Sequence, residues 1–165
     1  MRKIGLLSDT HSHVDDRMLK FLEPVDEVWH AGDMGNQEVV DRLMAFKLFR
    51  AVYGNIDDAR LRMQFPLVQQ FTVEKVNVLM THIGGYPGKY APGIKKMIQE
   101  NQSKLFISGH SHILKVVFDK ALNCLHINPG AAGMSGFHQV RTMIRFIING
   151  TEIKDLEVWE YPRKE

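Results

Sequence analysis

Five times in this 165-residue chain a short apolar run stops at residues able to ligate a metal. Residues 4–7 lead into Ser8-Asp9-Thr10-His11, residues 25–29 into Gly32-Asp33, residues 49–53 into Gly54-Asn55, residues 76–80 into Thr81-His82, and residues 105–108 into Gly109-His110-Ser111-His112. Apolar runs without polar alternation are expected of strands covered on both faces. Helical spacing fills the gaps between the first three. Asp15 or Asp16 can cap a helix through Leu22 that presents Met18, Leu19 and Leu22 on one face before Pro24 ends it, and Asn36 can cap one carrying Val39, Val40, Leu43 and Met44. The order β-α-β-α-β with right-handed crossovers predicts a parallel sheet, so the first three clusters must share the carboxyl edge of that sheet.

The second half is richer in strands. Residues 68–73 and 76–80, joined by the turn Glu74-Lys75, read as a hairpin, and a helix over 92–101 places Ile94, Met97 and Ile98 inward. Residues 105–108, 114–118 and 124–127 read as further strands, and Asn149-Gly150 as the turn of a last hairpin between 143–148 and 153–159. Two sheets packed face to face, with helices outside the first and around the edges of the second, would bury all these runs. A chain of this length supports one substantial core, so residues 1–165 are expected to form a single α/β domain.

Composition excludes several classes. With 44% hydrophobic and 24% charged residues the chain is not of disordered type. A net charge of +2, from scattered lysines and arginines, does not imply nucleic acid. No stretch approaches the ~20 apolar residues of a membrane span, and the first apolar run meets Asp9 too soon to be the core of a signal peptide. The single cysteine, Cys124, lies among Leu122, Leu125 and Ile127 and reads as a buried inert thiol. A reducing, cytoplasmic setting is the expectation.

The chemistry of the clusters points to borderline divalent ions. Asp9 and His11 combine a hard carboxylate with an imidazole, a mixture that suits Mn, Fe, Zn or Ni better than Mg or Ca. Asp33 has two carboxylate oxygens and can bridge two ions, Asn55 offers a neutral carbonyl oxygen, and His82 a third kind of strand-end donor. If residues 110–112 stay extended, His110 and His112 point to the same side with Cα atoms roughly 6.5 Å apart. Two ions ~3.5–4 Å apart need about this many side chains, with positions left for water and substrate.

This ordered set, together with Asn128-Pro129-Gly130, resembles the calcineurin-like metallophosphoesterase superfamily, in particular its small bacterial and archaeal phosphodiesterases. The resemblance implies a four-layer αββα sandwich of two packed mixed sheets. It assigns Asp9, His11, Asp33 and His112 to one divalent ion and Asp33, Asn55, His82 and His110 to a second, with Asp33 bridging. It implies hydrolysis of a small-molecule phosphodiester by a hydroxide held between the ions, with Asp33, Asn55 and His82 serving the reaction as well as the metal. Manganese is the favoured ion, with nickel, zinc or iron as alternatives. A phosphomonoesterase is the alternative activity. The superfamily also includes a retromer subunit that does interaction work, so a non-catalytic protein-binding scaffold is the rival from another class. A homo-oligomer stays open.

Two positions depart from the family pattern. Many members carry a proton-donating His directly after the Asn, where this chain has Ile56, and the small phosphodiesterases tend to have Ser where it has Ala131. His13, two residues beyond His11, is the candidate substitute acid. Residues 84–90 faintly echo a phosphate-binding loop, but Pro87 lacks an N–H and Tyr90 replaces the metal-holding hydroxyl, so they read as a rim near His82 whose Tyr86, Lys89 or Tyr90 could touch substrate.

Overall fold

The computed structural model describes residues 1–164; residue 165 of the expected domain lies outside the described residues. In chain order the elements are β1 (Arg2–Leu7), α1 (Asp16–Leu22), β2 (Glu27–His30), α2 (Gln37–Phe46), β3 (Leu48–Ala51), α3 (Ala59–Gln64), β4 (Val68–Val73), β5 (Val76–Thr81), β6 (Gly85–Tyr86), β7 (Lys89–Tyr90), α4 (Ile94–Asn101), β8 (Leu105–Ile107), β9 (Leu114–Asp119), β10 (Cys124–Pro129), β11 (Val140–Asn149) and β12 (Glu152–Pro162). They build two five-stranded mixed sheets, ordered β12-β11-β1-β2-β3 and β4-β5-β8-β10-β9. The first has the parallel core β1-β2-β3, as the βαβαβ pattern predicts. The second has a parallel core of its own, β5-β8-β10, flanked by antiparallel β4 and β9.

Neighbouring residues of one strand go to different layers, which is why the runs lack alternation. Leu6 points between the sheets with Ile4, Trp29, Met80, Ile107, Ile127 and Phe146, whereas Leu7 faces outward onto Met18 and Leu22 of α1 and Val40 and Leu43 of α2. Each such side chain contributes about 1.5–3 kcal/mol on full burial. On the far side of the second sheet, Ile94 and Ile98 of α4 cover Leu79, Phe106 and Cys124. The layers are therefore α/β/β/α.

The helix starts follow local chemistry. Asp15 accepts from the Met18 N–H and Asn36 from the Val39 N–H, each at 3.1 Å. Helix α3 has no counterpart in the sequence reading, because Leu61 is its sole buried residue and one apolar position makes no periodicity. Helix α4 begins at Ile94, two residues later than Pro92, behind Gly93 at φ 84°. Residues 85–90 are not a plain loop but the small hairpin β6-β7.

Candidate metal centre

All five polar clusters lie beyond the carboxyl ends of parallel strands: Asp9 after β1, Asp33 after β2, Asn55 after β3, His82 after β5, and His110 and His112 after β8. The backbone must turn sharply there to aim side chains across the edge. Asp9, His11, Asp33, His110 and His112 all have positive φ, from 44° to 73°, a conformation costing a non-glycine residue of order 1–3 kcal/mol. Cross-loop hydrogen bonds hold it: Asp9 N–H to Gly32 O at 2.9 Å, His11 N–H to Asp33 O at 3.1 Å, and Gly109 N–H to His82 O at 2.9 Å.

One expectation is overturned by that geometry. Residues 110–112 are not extended, and the two histidines do not share a face. The Asn128 side chain donates to Gly109 O and Ser111 Oγ and pins the loop in its turned form. His112 Nε2 therefore reaches to 3.1 Å from Asp9 Oδ1, while His110 Nδ1 lies 3.0 Å from Asn55 Oδ1.

The donor atoms converge in two groups. Those of Asp9, His11 and His112 lie within 4.8 Å of one another, and so do those of Asp33, His82 and His110. Asp33 Oδ2 links them, 3.4 Å from His11 Nε2 and 3.2 Å from His82 Nε2. Asp9 Oδ1 is 3.7 Å from each of the same two nitrogens. Among the described residues, Asp9 Oδ1, His11 Nε2 and His82 Nε2 are buried with no hydrogen-bond partner. A buried carboxylate oxygen and two imidazole nitrogens left unpartnered side by side are costly unless a cation satisfies them, so these residues fit divalent ions.

The outer atoms of these side chains are tied to protein, which leaves the inner atoms free. Asp9 Oδ2 accepts from Ser8 Oγ at 2.6 Å and from the His110 N–H at 3.1 Å, leaving Oδ1. Asp33 Oδ1 accepts from the Ile56 N–H at 3.0 Å, leaving Oδ2. His82 Nδ1 lies 2.7 Å from Ala31 O; a carbonyl only accepts, so Nδ1 carries the hydrogen and Nε2 keeps its lone pair. A longer chain orients His112. His138 Nε2 lies 2.9 Å from Gly133 O and so donates, its Nδ1 accepts from His112 Nδ1 at 3.3 Å, and His112 Nε2 is left bare.

Charge adjusts to the crowding. Burial opposes ionisation of Asp9, yet the imidazoles of His11, His112 and His82 beside it hold it well below the usual carboxylate range. Asp33 is likewise held low against burial, by His11 and His82. The carboxylates of Asp33 and Asp9 beside it push His11 up to about 9. His82 is raised as well, burial being outweighed by Asp33 and Asp9.

Asn55 takes its place because its loop is clamped. The Asp57 carboxylate accepts from Gly35 N–H at 2.9 Å and Gly54 N–H at 2.8 Å, and a side chain at Gly54 would collide with the backbone and carboxylate of Asp33. Ile56 contributes only its N–H, and its side chain is exposed. His13 stands apart from the donor groups, with Nε2 2.9 Å from Asp15 Oδ2. Ser8, Asp57 and His138 escape the sequence reading. Ser8 and Asp57 sit beside expected ligands and look like ordinary turn residues, and no apolar run leads into His138.

A family model described as the calcineurin-like phosphoesterase superfamily domain matches residues 2–151. A probable metallophosphoesterase of Methanothermobacter thermautotrophicus is 26% identical over 135 residues, covering 78% of this chain and 76% of that one. Another, from Methanocaldococcus jannaschii, is 27% identical over 136 residues, covering 78% and 67%. Among solved structures, one described as a novel archaeal phosphodiesterase superposes with TM-score 0.77 at 21% identity, covering 95% of this chain and 99% of that one. Wild-type Vps29 of Entamoeba histolytica complexed with Zn²⁺ superposes with TM-score 0.75 at 15% identity, covering 98% and 99%. The sandwich, the strand-end donor groups and a family match over almost the whole length agree: the chain belongs to the calcineurin-like phosphoesterase superfamily.

Proposed function

We propose that the chain is a dinuclear-metal phosphodiesterase acting on a small-molecule ester, with residues 1–165 working as one domain. Asp9, His11, Asp33 and His112 would hold one ion and Asp33, Asn55, His82 and His110 the other, with Asp33 shared. The observation that carries this reading is the set of buried orphan atoms, Asp9 Oδ1, His11 Nε2 and His82 Nε2, facing one another across the shared carboxylate of Asp33. When bound, two divalent ions supply a hydroxide nucleophile at neutral pH and offset the charge that develops on phosphoryl oxygens. The protein's part is to fix that charge in place. The hydrogen bonds on the outer atoms of Asp9, Asp33, His82 and His112 hold each donor in one orientation, so little reorganisation accompanies the reaction. The mixed carboxylate and imidazole donor set suits Mn, Ni, Zn or Fe better than Mg or Ca, and Mn is the proposed ion. His13 is the proposed acid in place of Ile56. A cytoplasmic location suits a metal site without disulfides, and among the described residues no helix is long and apolar enough to cross a membrane.

The deciding experiment is turnover of matched phosphomonoesters and phosphodiesters by metal-stripped protein after adding back Mn, Ni, Zn or Mg. Diesters are expected to be hydrolysed fastest, with Mn the best ion. Faster monoester cleavage would make the chain a monoesterase. Inactivity on every ester with two ions bound would leave the non-catalytic protein-binding scaffold.

A further inference from the structure

Beside the donor groups lies a cavity of about 400 Å³ whose walls include His110, Tyr86, Tyr90, Ile113, Lys115 and His126. Its volume falls in the ~300–1,000 Å³ range of small-molecule sites. His110 belongs both to this cavity and to the second donor group, so an ester held at the centre has the cavity open to one of its organic groups. The lining is largely apolar and aromatic, and its polar groups are mostly engaged. The Tyr90 hydroxyl donates to Asp119 Oδ2 at 2.5 Å, and the Lys115 ammonium sits 3.7 Å above the Tyr86 ring.

His126 is buried with its Nε2 unengaged. It is 1% exposed, stacked on Phe106 with ring centroids 5.1 Å apart, and its Nδ1 lies 3.1 Å from Phe106 O. A carbonyl can only accept, so Nδ1 carries the hydrogen and Nε2 is a bare acceptor. Nε2 is buried without a partner among the described residues. Burial drives the ring's pKa down to about 4, against a weaker opposing effect of the bond to Phe106, so the ring is neutral near pH 7 and Nε2 stays an acceptor. A buried acceptor left unpaired is unfavourable, and a site built around one discriminates strongly for a ligand that brings a hydrogen. The tyrosine and histidine rings lining the cavity favour a flat partner.

We propose that this cavity is the subsite for the alcohol portion of the ester, and that it selects a flat heteroaromatic ring whose N–H donates to His126 Nε2. This rests on the phosphodiesterase reading for its place in catalysis, though not for the binding itself. Two measurements separate the two ideas. The first follows the ¹⁵N resonances of the histidines in the zinc-loaded protein during titration with 9-methyladenine, whose amine is its one N–H donor, and with its N6,N6-dimethyl counterpart, which has none. The His126 Nε2 resonance is expected to move saturably with the first and at least ~10-fold more weakly with the second. His126→Phe, which keeps a ring on Phe106, should abolish the preference. Ile113→Trp, at an exposed rim position, should block both ligands without touching the core, and so serves if the first variant fails to fold. Absence of a saturable shift, equal shifts with both ligands, or ligand binding unchanged by Ile113→Trp would overturn the subsite. The second measurement compares kcat/KM for thymidine 5′-(4-nitrophenyl phosphate) and methyl 4-nitrophenyl phosphate. A ratio of at least ~10 in the native protein that collapses in the variants supports the subsite, and a ratio near one overturns it. Failure to cleave either ester while the ¹⁵N shifts persist would overturn the hydrolase reading and support the subsite as a binding site.

Discussion

The Nδ1 atoms of His112 and His138 lie 3.3 Å apart, and the second ring is anchored through Nε2 to the Gly133 carbonyl. Two facing ring nitrogens can hold one hydrogen between them. The Gly133 carbonyl decides that it belongs to His112, leaving the opposite nitrogen of His112 free toward Asp9. His138 thus orients a ligand without being one. Replacing it with Ala should weaken one ion of the pair by about 10–100-fold and leave the other in place. Metal titration followed by elemental analysis checks this, and equal loss of both ions would disprove the selective role.

Asp33 stands between His11 and His82, so Asp33→Ala should harm metal binding more than any other single ligand change. Asn55→Ala should lower the stoichiometry from two ions to one. Retention of two ions by the Asp33 variant, with loss of both in the Asn55 variant, would refute the bridging assignment.

Metal uptake should expel protons. In the ion-free protein His11 is raised to about 9 from the usual 6.5, so it is protonated at pH 7, and His82 is raised too. Ions bind the neutral ring. Affinity should therefore climb between pH 7 and pH 9, with protons released on binding. Calorimetry in buffers of different protonation enthalpy measures the release. The stability effect has the opposite sign. Because its folded pKa is raised, His11 stabilises the ion-free protein fully below pH 6.5 and loses that contribution as pH rises through about 9.

Ile56 cannot donate a proton to a departing alkoxide, and a well-placed acid contributes ~10²–10⁴-fold. If His13 supplies that proton, His13→Ala should slow diesters with poor leaving groups and spare nitrophenyl esters, with metal content intact. A plot of rate against leaving-group pKa that is parallel for both proteins would exclude His13, whose Nε2 would then serve only Asp15.

Asp15 caps α1, and its Oδ2 also accepts from buried Arg141 at 2.9 Å. Asp15→Ala should cost about 2–4 kcal/mol by removing the cap and stranding a buried guanidinium. Burial opposes ionisation of Asp15, but its bonds to His13, Met18 N–H and Arg141 bring it to about 2. Its contribution is therefore lost as pH falls through about 2, and the variant's denaturation curve should lack that acid limb.

Strand positions, the parallel order of β1 to β3 and the strand-end donors are legible in the amino-acid sequence because they depend on local patterns: unbroken apolar runs, helix caps, and an Asp, Asn or His directly after each run. Ile4, Leu6, Leu7 and Val28 specify layers covered on both sides whatever covers them. Tertiary structure alone decided which nitrogens of His82 and His112 are free, because the Ala31 carbonyl reaches His82, and the His138 ring reaches His112, from distant parts of the chain. It also turned residues 110–112 away from extension, since the Asn128 side chain holds that loop from β10, and a left-handed φ at an aspartate or histidine leaves no sequence signal. His138 and His126 acquire meaning the same way. Neither follows a telling pattern, and each matters only through what the fold sets against it: a ligand's ring nitrogen for one, an empty acceptor beside a cavity for the other.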